Sequence, residues 1–357
     1  MKIVSIVGAR PQFVKLAPFS MELRKFHQEI IIHTGQHYDI NMSEAFFKDL
    51  SIPEPDYHLE IGSDTHGKQT GRMLVKLEST LIDEKADLVV VFGDTNSTLA
   101  GALAAAKLNI PVLHIEAGLR SFNRQMPEEI NRIVTDHIAN HLFAPTETAM
   151  KNLHTEGLGN KSYLTGDIMV DSLNMVLDKT QQRENLFIQY KIKPGEYYLL
   201  TLHRPQNVDN YPLLKLLLSK LNDLDLPVLF PVHPRTMQVI SNYEKRKLTE
   251  AYPGIIFISP VSYIDFIFLQ KNAHKIITDS GGIQKEAFIL QIPCATIRDQ
   301  TEWIETVEAG WNILINPNQR DFRARIIQHD KPGSYPELYG TQVAEKMVAL
   351  LNTVIRQ

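Results

Sequence analysis

Short apolar runs rich in β-branched residues recur along this chain, separated by longer segments with helical spacing. In the first half the runs cover residues 3–7, 30–33, 88–92, 112–115 and 142–144. Strand-length runs alternating with helix-length segments predict a parallel sheet with crossover helices. A polar stretch around 178–195 interrupts the pattern, which restarts with runs at 197–202, 228–232, 255–258, 275–278 and 295–297. Two doubly wound α/β halves follow. Gln181-Gln182-Arg183-Glu184-Asn185 and the turn Lys193-Pro194-Gly195 mark the expected linker region, giving domains 1–175 and 176–357. Residues 341–355 place Val343, Met347, Leu350, Leu351 and Val354 on one helical face, so this last helix should pack on a domain, either its own or the N-terminal one.

Composition narrows the class. A chain of 357 residues exceeds one ordinary core and suggests about two domains. A net charge of −4 provides no broad basic surface for nucleic acid or anionic lipid, so neither is an expected partner. The lone cysteine, Cys294, makes no internal disulfide or Cys-rich zinc site; it reads as a packed core residue in a reducing compartment. The run 3–7 is too short for a signal-peptide core, and no stretch reaches the roughly 18 uncharged residues that span a bilayer. A soluble, cytoplasmic protein is expected.

Open α/β sheets bind ligands beyond the carboxyl ends of their strands, so the residues delivered there carry the functional reading. The first half delivers Gly8-Ala9-Arg10-Pro11-Gln12 with Lys15 beyond, Gly93-Asp94-Thr95-Asn96 and Glu116-Ala117-Gly118. The second delivers His203-Arg204, His233-Pro234-Arg235, Ser259-Pro260 and Asp279-Ser280-Gly281-Gly282. The last of these opens a helix-like stretch from Ile283. Adjacent glycines at a helix start expose amides to an anion, which suits a phosphate. Glu286, one turn on, repels phosphate but accepts from the hydroxyls of a nucleotide sugar. A solvent-facing turn with purely geometric glycines is the alternative.

Other candidates carry alternatives too. Asp94 is either a site residue or the cap of a helix over 96–108. Glu116 directly follows a buried run, where a carboxylate is out of place for a surface pair. Glu128 and Glu129 follow Pro127 in a first helical turn, where the helix dipole favours acids. His203 and His233 read as substrate contacts or as satisfied core-edge donors. Metal binding is not expected without a His-x-x-x-His pair or clustered acid. Arg10 and Lys15 read as phosphate contacts or as a solvated helix face.

Taken together, GARPQFVK (8–15), VFGDTNST (91–98), HIEAGLRS (114–121), MPEEINR (126–132), TLHRPQN (201–207), HPRT (233–236) and TDSGGIQKEA (278–287) resemble the non-hydrolysing UDP-N-acetylglucosamine 2-epimerases, nearly end to end. The resemblance implies a glycosyltransferase-B-like fold of two Rossmann-like domains facing a central cleft, usually as a homodimer. It places Arg10, His233, Ser280, Gly281, Gly282 and Glu286 on uridine diphosphate, with Lys15 nearby, and makes Asp94, Glu116, Glu128 and His203 catalytic. It implies no cofactor; the first turn, Gly8-Ala9-Arg10, also lacks the Gly-x-Gly-x-x-Gly fingerprint of NAD sites.

Departures from the family pattern bear on the substrate. Trp303 stands where many members have arginine, which should remove a charged donor near the substrate and add an aromatic face. Gln36-His37-Tyr38-Asp39 departs from the Gln-His-Arg pattern of members regulated by a second substrate molecule. Gln206 stands where glutamate is common. With Asn41-Met42-Ser43-Glu44 and Asp299-Gln300-Thr301-Glu302-Trp303, these features look like the branch that includes the UDP-2,3-diacetamido-2,3-dideoxyglucuronate 2-epimerases of surface-polysaccharide pathways. UDP-N-acetylglucosamine and a 3-acetamido or uronate sugar both remain open as substrates.

Overall fold

The computed structural model describes residues 1–36, 47, 50–244 and 247–355; expectations resting on His37, Tyr38, Asp39 and 41–44 lie outside them. Among the described residues, strands form two all-parallel sheets. The first contains β1 (Lys2–Val7), β2 (Gln28–His33), β3 (Tyr57–His58), β4 (Leu88–Phe92), β5 (Val112–Ile115), β6 (His141–Ala144) and β7 (Ser162–Leu164), in the order β3-β2-β1-β4-β5-β6-β7. The second contains β8 (Tyr198–Thr201), β9 (Val228–Pro231), β10 (Ile255–Ile258), β11 (Lys275–Thr278), β12 (Cys294–Thr296) and β13 (Asn312–Leu314), in the order β10-β9-β8-β11-β12-β13. Each sheet grows outward from its first strand and then reverses, which is the Rossmann order with its switch point beside the first strand.

Alternate residues of one strand point to opposite faces, and both faces are covered. Tyr198 and Leu200 enter one apolar cluster of the second sheet with Phe230 and Ile277, while Tyr197 and Leu199 enter another with Leu229, Ile276 and Cys294. Burial of both faces explains why these strands read as continuous apolar runs. The edge strands β3, β7 and β13 escaped the sequence pattern because they are only two or three residues long. They extend by pairing with a neighbour, not by any alternation of their own.

The chain divides into two compact units, Met1–Met175 with Glu337–Gln357, and Val176–Pro336. The stretch expected as a linker belongs to the second unit: Leu186, in the helix Asn185–Tyr190, and Ile192 are buried in its core. The last helix, Val343–Val354, packs against the helix Arg10–Leu23 of the first unit. Two polar contacts accompany that packing, His27 Nε2 to Asn352 Oδ1 at 2.6 Å and the Ala344 N–H donating to Asp171 Oδ2 at 2.7 Å.

Candidate active site

In the first unit the ends of β1, β4 and β5 converge through polar side chains. Gln12 ties the first two together. Its Oε1 accepts from the Gly8 and Ala9 amides at 2.8 and 3.1 Å, and its Nε2 donates to the Phe92 carbonyl at 3.0 Å. Thr95, not Asp94, caps the helix Asn96–Lys107, accepting from the Thr98 N–H at 3.3 Å. Asp94 is therefore available for ion pairing, and its carboxylate meets Arg132 Nη1. Glu116 pairs with Lys15, both side chains buried. Lys15 thus faces an acid and is not on a solvated helix face.

Gly93, at φ +62°, makes room for that pair: a Cβ there would lie 3.0 Å from Glu116 Oε2 and 3.1 Å from Lys15 Nζ. Glu116 itself has φ +74°, in the left-handed region that costs a side chain about 1–2 kcal/mol. Burial pushes the Asp94 carboxyl above its ordinary range; Arg132 and Lys15 oppose this, while Glu116 and Glu128 reinforce it. All five side chains therefore belong to one electrostatic cluster. It sets one carboxyl of raised proton affinity, Asp94, among further acids and two cations, a setting suited to proton transfer.

The acid doublet in the helix Pro127–Ile138 divides its work. Glu128 is exposed, within electrostatic reach of Asp94. Glu129 is buried and accepts from the Ser121 and Phe122 amides, each at 2.9 Å, and from Arg132 Nη2 at 2.8 Å. The sequence reading missed Arg132, although its place three residues after Glu129 in the same block allows one helical face to carry both. It also missed a support below the cluster. His114 Nδ1 lies 2.6 Å from Asp136 Oδ1 and its Nε2 2.7 Å from the Gly93 carbonyl, while Asp136 Oδ2 accepts from the Gly118 N–H at 3.0 Å. The turns bearing Asp94 and Glu116 are joined by this buried link.

In the second unit β11 runs into Asp279, Ser280 and the helix Gly281–Ile289. The Ser280 N–H donates to Thr278 Oγ1 at 3.0 Å, so the first-turn amides of Gly281 and Gly282 are the donors left by helix geometry for an anion. The two glycines differ. A Cβ on Gly281 would collide with Glu302 Oε1, whereas Gly282 faces open space within 4 Å. Glu302 is paired with Arg298 at 3.0 Å, with both side chains largely buried. Glu286 is buried and held by Tyr263 Oη at 3.0 Å and Gln270 Nε2 at 2.7 Å, which orient its carboxylate.

The two histidines follow β8 and β9, which lie on one side of β11 in the strand order. His233 is the N-cap of the helix Pro234–Tyr243, its Nδ1 accepting from the Arg235 N–H at 3.2 Å. That bond leaves Nε2 as the hydrogen-bearing nitrogen on an exposed ring. His203 is exposed, with Nδ1 3.1 Å from Asp279 Oδ1. Arg10 is exposed at the first turn of its helix in the first unit. Trp303 corrects the sequence reading. It is 4% exposed and lies under the Lys285 ammonium at 4.2 Å from the ring centroid, so it offers no aromatic face to a ligand. A large apolar ring beside a buried cation is stabilised by burial and cation–π attraction, and that pairing holds it inside.

Two Rossmann-like parallel sheets, one ending in a carboxylate–cation cluster and the other in a glycine turn at a helix start, define an α/β enzyme of the glycosyltransferase-B-like fold class. The chain belongs to the UDP-N-acetylglucosamine 2-epimerase family, whose model matches residues 21–351. It is 53% identical over 328 residues to a UDP-N-acetylglucosamine 2-epimerase homolog of Methanococcus maripaludis, covering 91% of this chain and 92% of that one. It is 44% identical over 364 residues to the UDP-2,3-diacetamido-2,3-dideoxy-D-glucuronate 2-epimerase of Pseudomonas aeruginosa, covering 98% of each. Among solved structures it is similar to the UDP-GlcNAc 2-epimerase of Methanocaldococcus jannaschii in complex with UDP-GlcNAc and UDP, at a TM-score of 0.90 and 44% identity over 99% of this chain and 100% of that one.

Proposed function

We propose that this protein interconverts UDP-N-acetylglucosamine and UDP-N-acetylmannosamine without releasing a free sugar. The observation that carries the reading is the cluster of Asp94, Glu116 and Glu128 with Lys15 and Arg132 in a chain of this family. The hydrogen at carbon 2 is not next to a carbonyl and is inert in the intact sugar. As the carbon 1–oxygen bond breaks, the bonding pair leaves with UDP. Positive charge at carbon 1 then acidifies that hydrogen. A carboxylate takes the proton, the C–H pair becomes the carbon 1–carbon 2 double bond, and 2-acetamidoglucal and UDP are held together. Protonation of carbon 2 from the other face and return of the UDP oxygen to carbon 1 give the epimer. Two faces require more than one acid–base group.

The charge leaving with UDP needs donors. Arg10, His233 and the Gly281 and Gly282 amides suit it, each good donor contributing a few kcal/mol, about 2.7–4 by analogy with oxyanion holes. Glu286 suits the ribose hydroxyls, and His203 suits the diphosphate side of the reaction. A homodimer, a cytoplasmic location and a role in surface-polysaccharide precursor synthesis belong to the same proposal. The test is incubation with UDP-N-acetylglucosamine in deuterated water without acceptor. Deuterium at carbon 2 of a product still carrying UDP is expected. Sugar transfer or hydrolysis without label would overturn the assignment.

The 44% identity to the diacetamido-glucuronate enzyme favours a second substrate of the same reaction. Turnover of UDP-sugars with and without a 3-acetamido group and a 6-carboxylate separates the two.

A further inference from the structure

Strands β8 and β11 lie side by side at the switch point of the second sheet, in register with Thr201 opposite Thr278. His203 and Asp279 stand just beyond those ends. Asp279 is fully buried. Its Oδ1 accepts from the His203 N–H at 3.1 Å and lies 3.1 Å from His203 Nδ1. Its Oδ2 accepts from the Arg204 N–H and from Asn207 Nδ2, both at 3.0 Å. The carboxylate therefore clamps the loop that carries His203, while the imidazole itself is about half exposed, with 53% of its surface open.

Burial works against ionisation of Asp279, but the His203 ring, Asn207 and the Arg204 amide outweigh it and hold the carboxyl below its ordinary range. An ionised carboxylate has acceptors only. Nδ1 of His203 must then bear a hydrogen, and Nε2 is the atom turned outward. We infer that Asp279 is a positioning residue that fixes His203 with Nδ1–H on its carboxylate and presents Nε2 to the anion taken by the adjoining glycine turn. This rests on the epimerase reading, in which that anion is the diphosphate of a UDP-sugar. With hydrogen on both nitrogens the ring is a cation between two anions. In that form Nε2–H donates to the phosphate oxygen that receives the bonding pair when the bond to carbon 1 breaks.

An amide at position 279 fails this task for a specific reason. Donors face both oxygens of Asp279, and an amide offers one oxygen and one NH2. If its oxygen stays with Arg204 and Asn207, its NH2 faces His203 Nδ1, which must then be bare, so the ring meets the anion as a neutral donor without the positive charge. If it turns round, the loop loses its clamp.

The test is NMR of the enzyme labelled with 15N-histidine, with His203→Gln used to assign the signal, together with the kinetics of Asp279→Asn. The expected wild-type spectrum shows hydrogen on His203 Nδ1. In Asp279→Asn that signature is expected to be lost and kcat to fall about 10²–10⁴-fold with KM unchanged, as when a triad aspartate is replaced. A wild-type spectrum with Nδ1 bare overturns the inference, and it does so even if the Asp279 variant does not fold. So does an Asp279→Asn enzyme with wild-type kcat. The His203→Gln enzyme separates this from the functional reading. Full turnover there removes His203 from the reaction, whereas lost turnover beside an unaffected Asp279 variant overturns the role of Asp279 alone.

Discussion

Glu116 keeps a side chain where the backbone favours glycine, at φ +74°, and it does so with Lys15 across from it. Each partner is costly alone. Removing one member of a buried pair leaves an uncompensated charge and typically destabilises by about 3–5 kcal/mol. Lys15→Met and Glu116→Gln are each expected to lower unfolding free energy on that order. The double variant should cost less than the sum, because the surviving charge is what makes each single change expensive. Urea unfolding of the four proteins measures this coupling. Additive costs would mean that the pair is not buried in solution. Glu116 was legible in the sequence as a carboxylate leaving an apolar strand. Lys15 was legible only as a cation, since its partner lies 101 positions away.

Helix starts are where these elements meet chemistry, and their local signals differ in strength. The alternation of apolar runs and glycine turns identified the helix Gly281–Ile289 and its exposed amides, because a turn is a local matter. It did not distinguish the two glycines. Gly281 is required by Glu302 packing into the place of its Cβ, and Gly282 is bounded by open space. Gly281→Ala is accordingly expected to displace the Arg298–Glu302 pair and cost about 1–3 kcal/mol, the usual range for overpacking. Gly282→Ala should leave the melting temperature nearly unchanged. Thermal unfolding of both variants checks the contrast, and equal effects would sink it. The cap of Asn96–Lys107 gives the complementary lesson. Asp94 and Thr95 are both good cap residues by type, and only the backbone assigned the role to Thr95.

Across the molecule, the chain leaves its first unit near Met175 and returns to it at Glu337. The returning helix buries Val343, Met347, Val348 and Leu351. Leu351→Ala should therefore destabilise the first unit, by about 2–5 kcal/mol as for other buried leucines. Hydrogen exchange is expected to report the loss in the helix Arg10–Leu23 and not in the strands of the second unit. Exchange rising equally in both units would contradict that division. The apolar face of this helix was plain in its spacing, but a stripe of leucine and valine carries no address. Its destination depends on which unit leaves a complementary face uncovered.

Local chemistry was sufficient for the strand and helix succession, for two doubly wound halves and for the polar blocks at the strand ends. Such features depend on periods of a few residues and on the backbone freedom of glycine, and both are written in consecutive positions. The partners were not local. Asp94 meets Arg132 across 38 positions, and Asp279 holds the loop of His203 across 76. Those pairings follow from the order of strands in each sheet, which sets β4 beside β5 and β8 beside β11. Strand order is a property of how the whole unit buries its apolar faces, and no short stretch of residues specifies it.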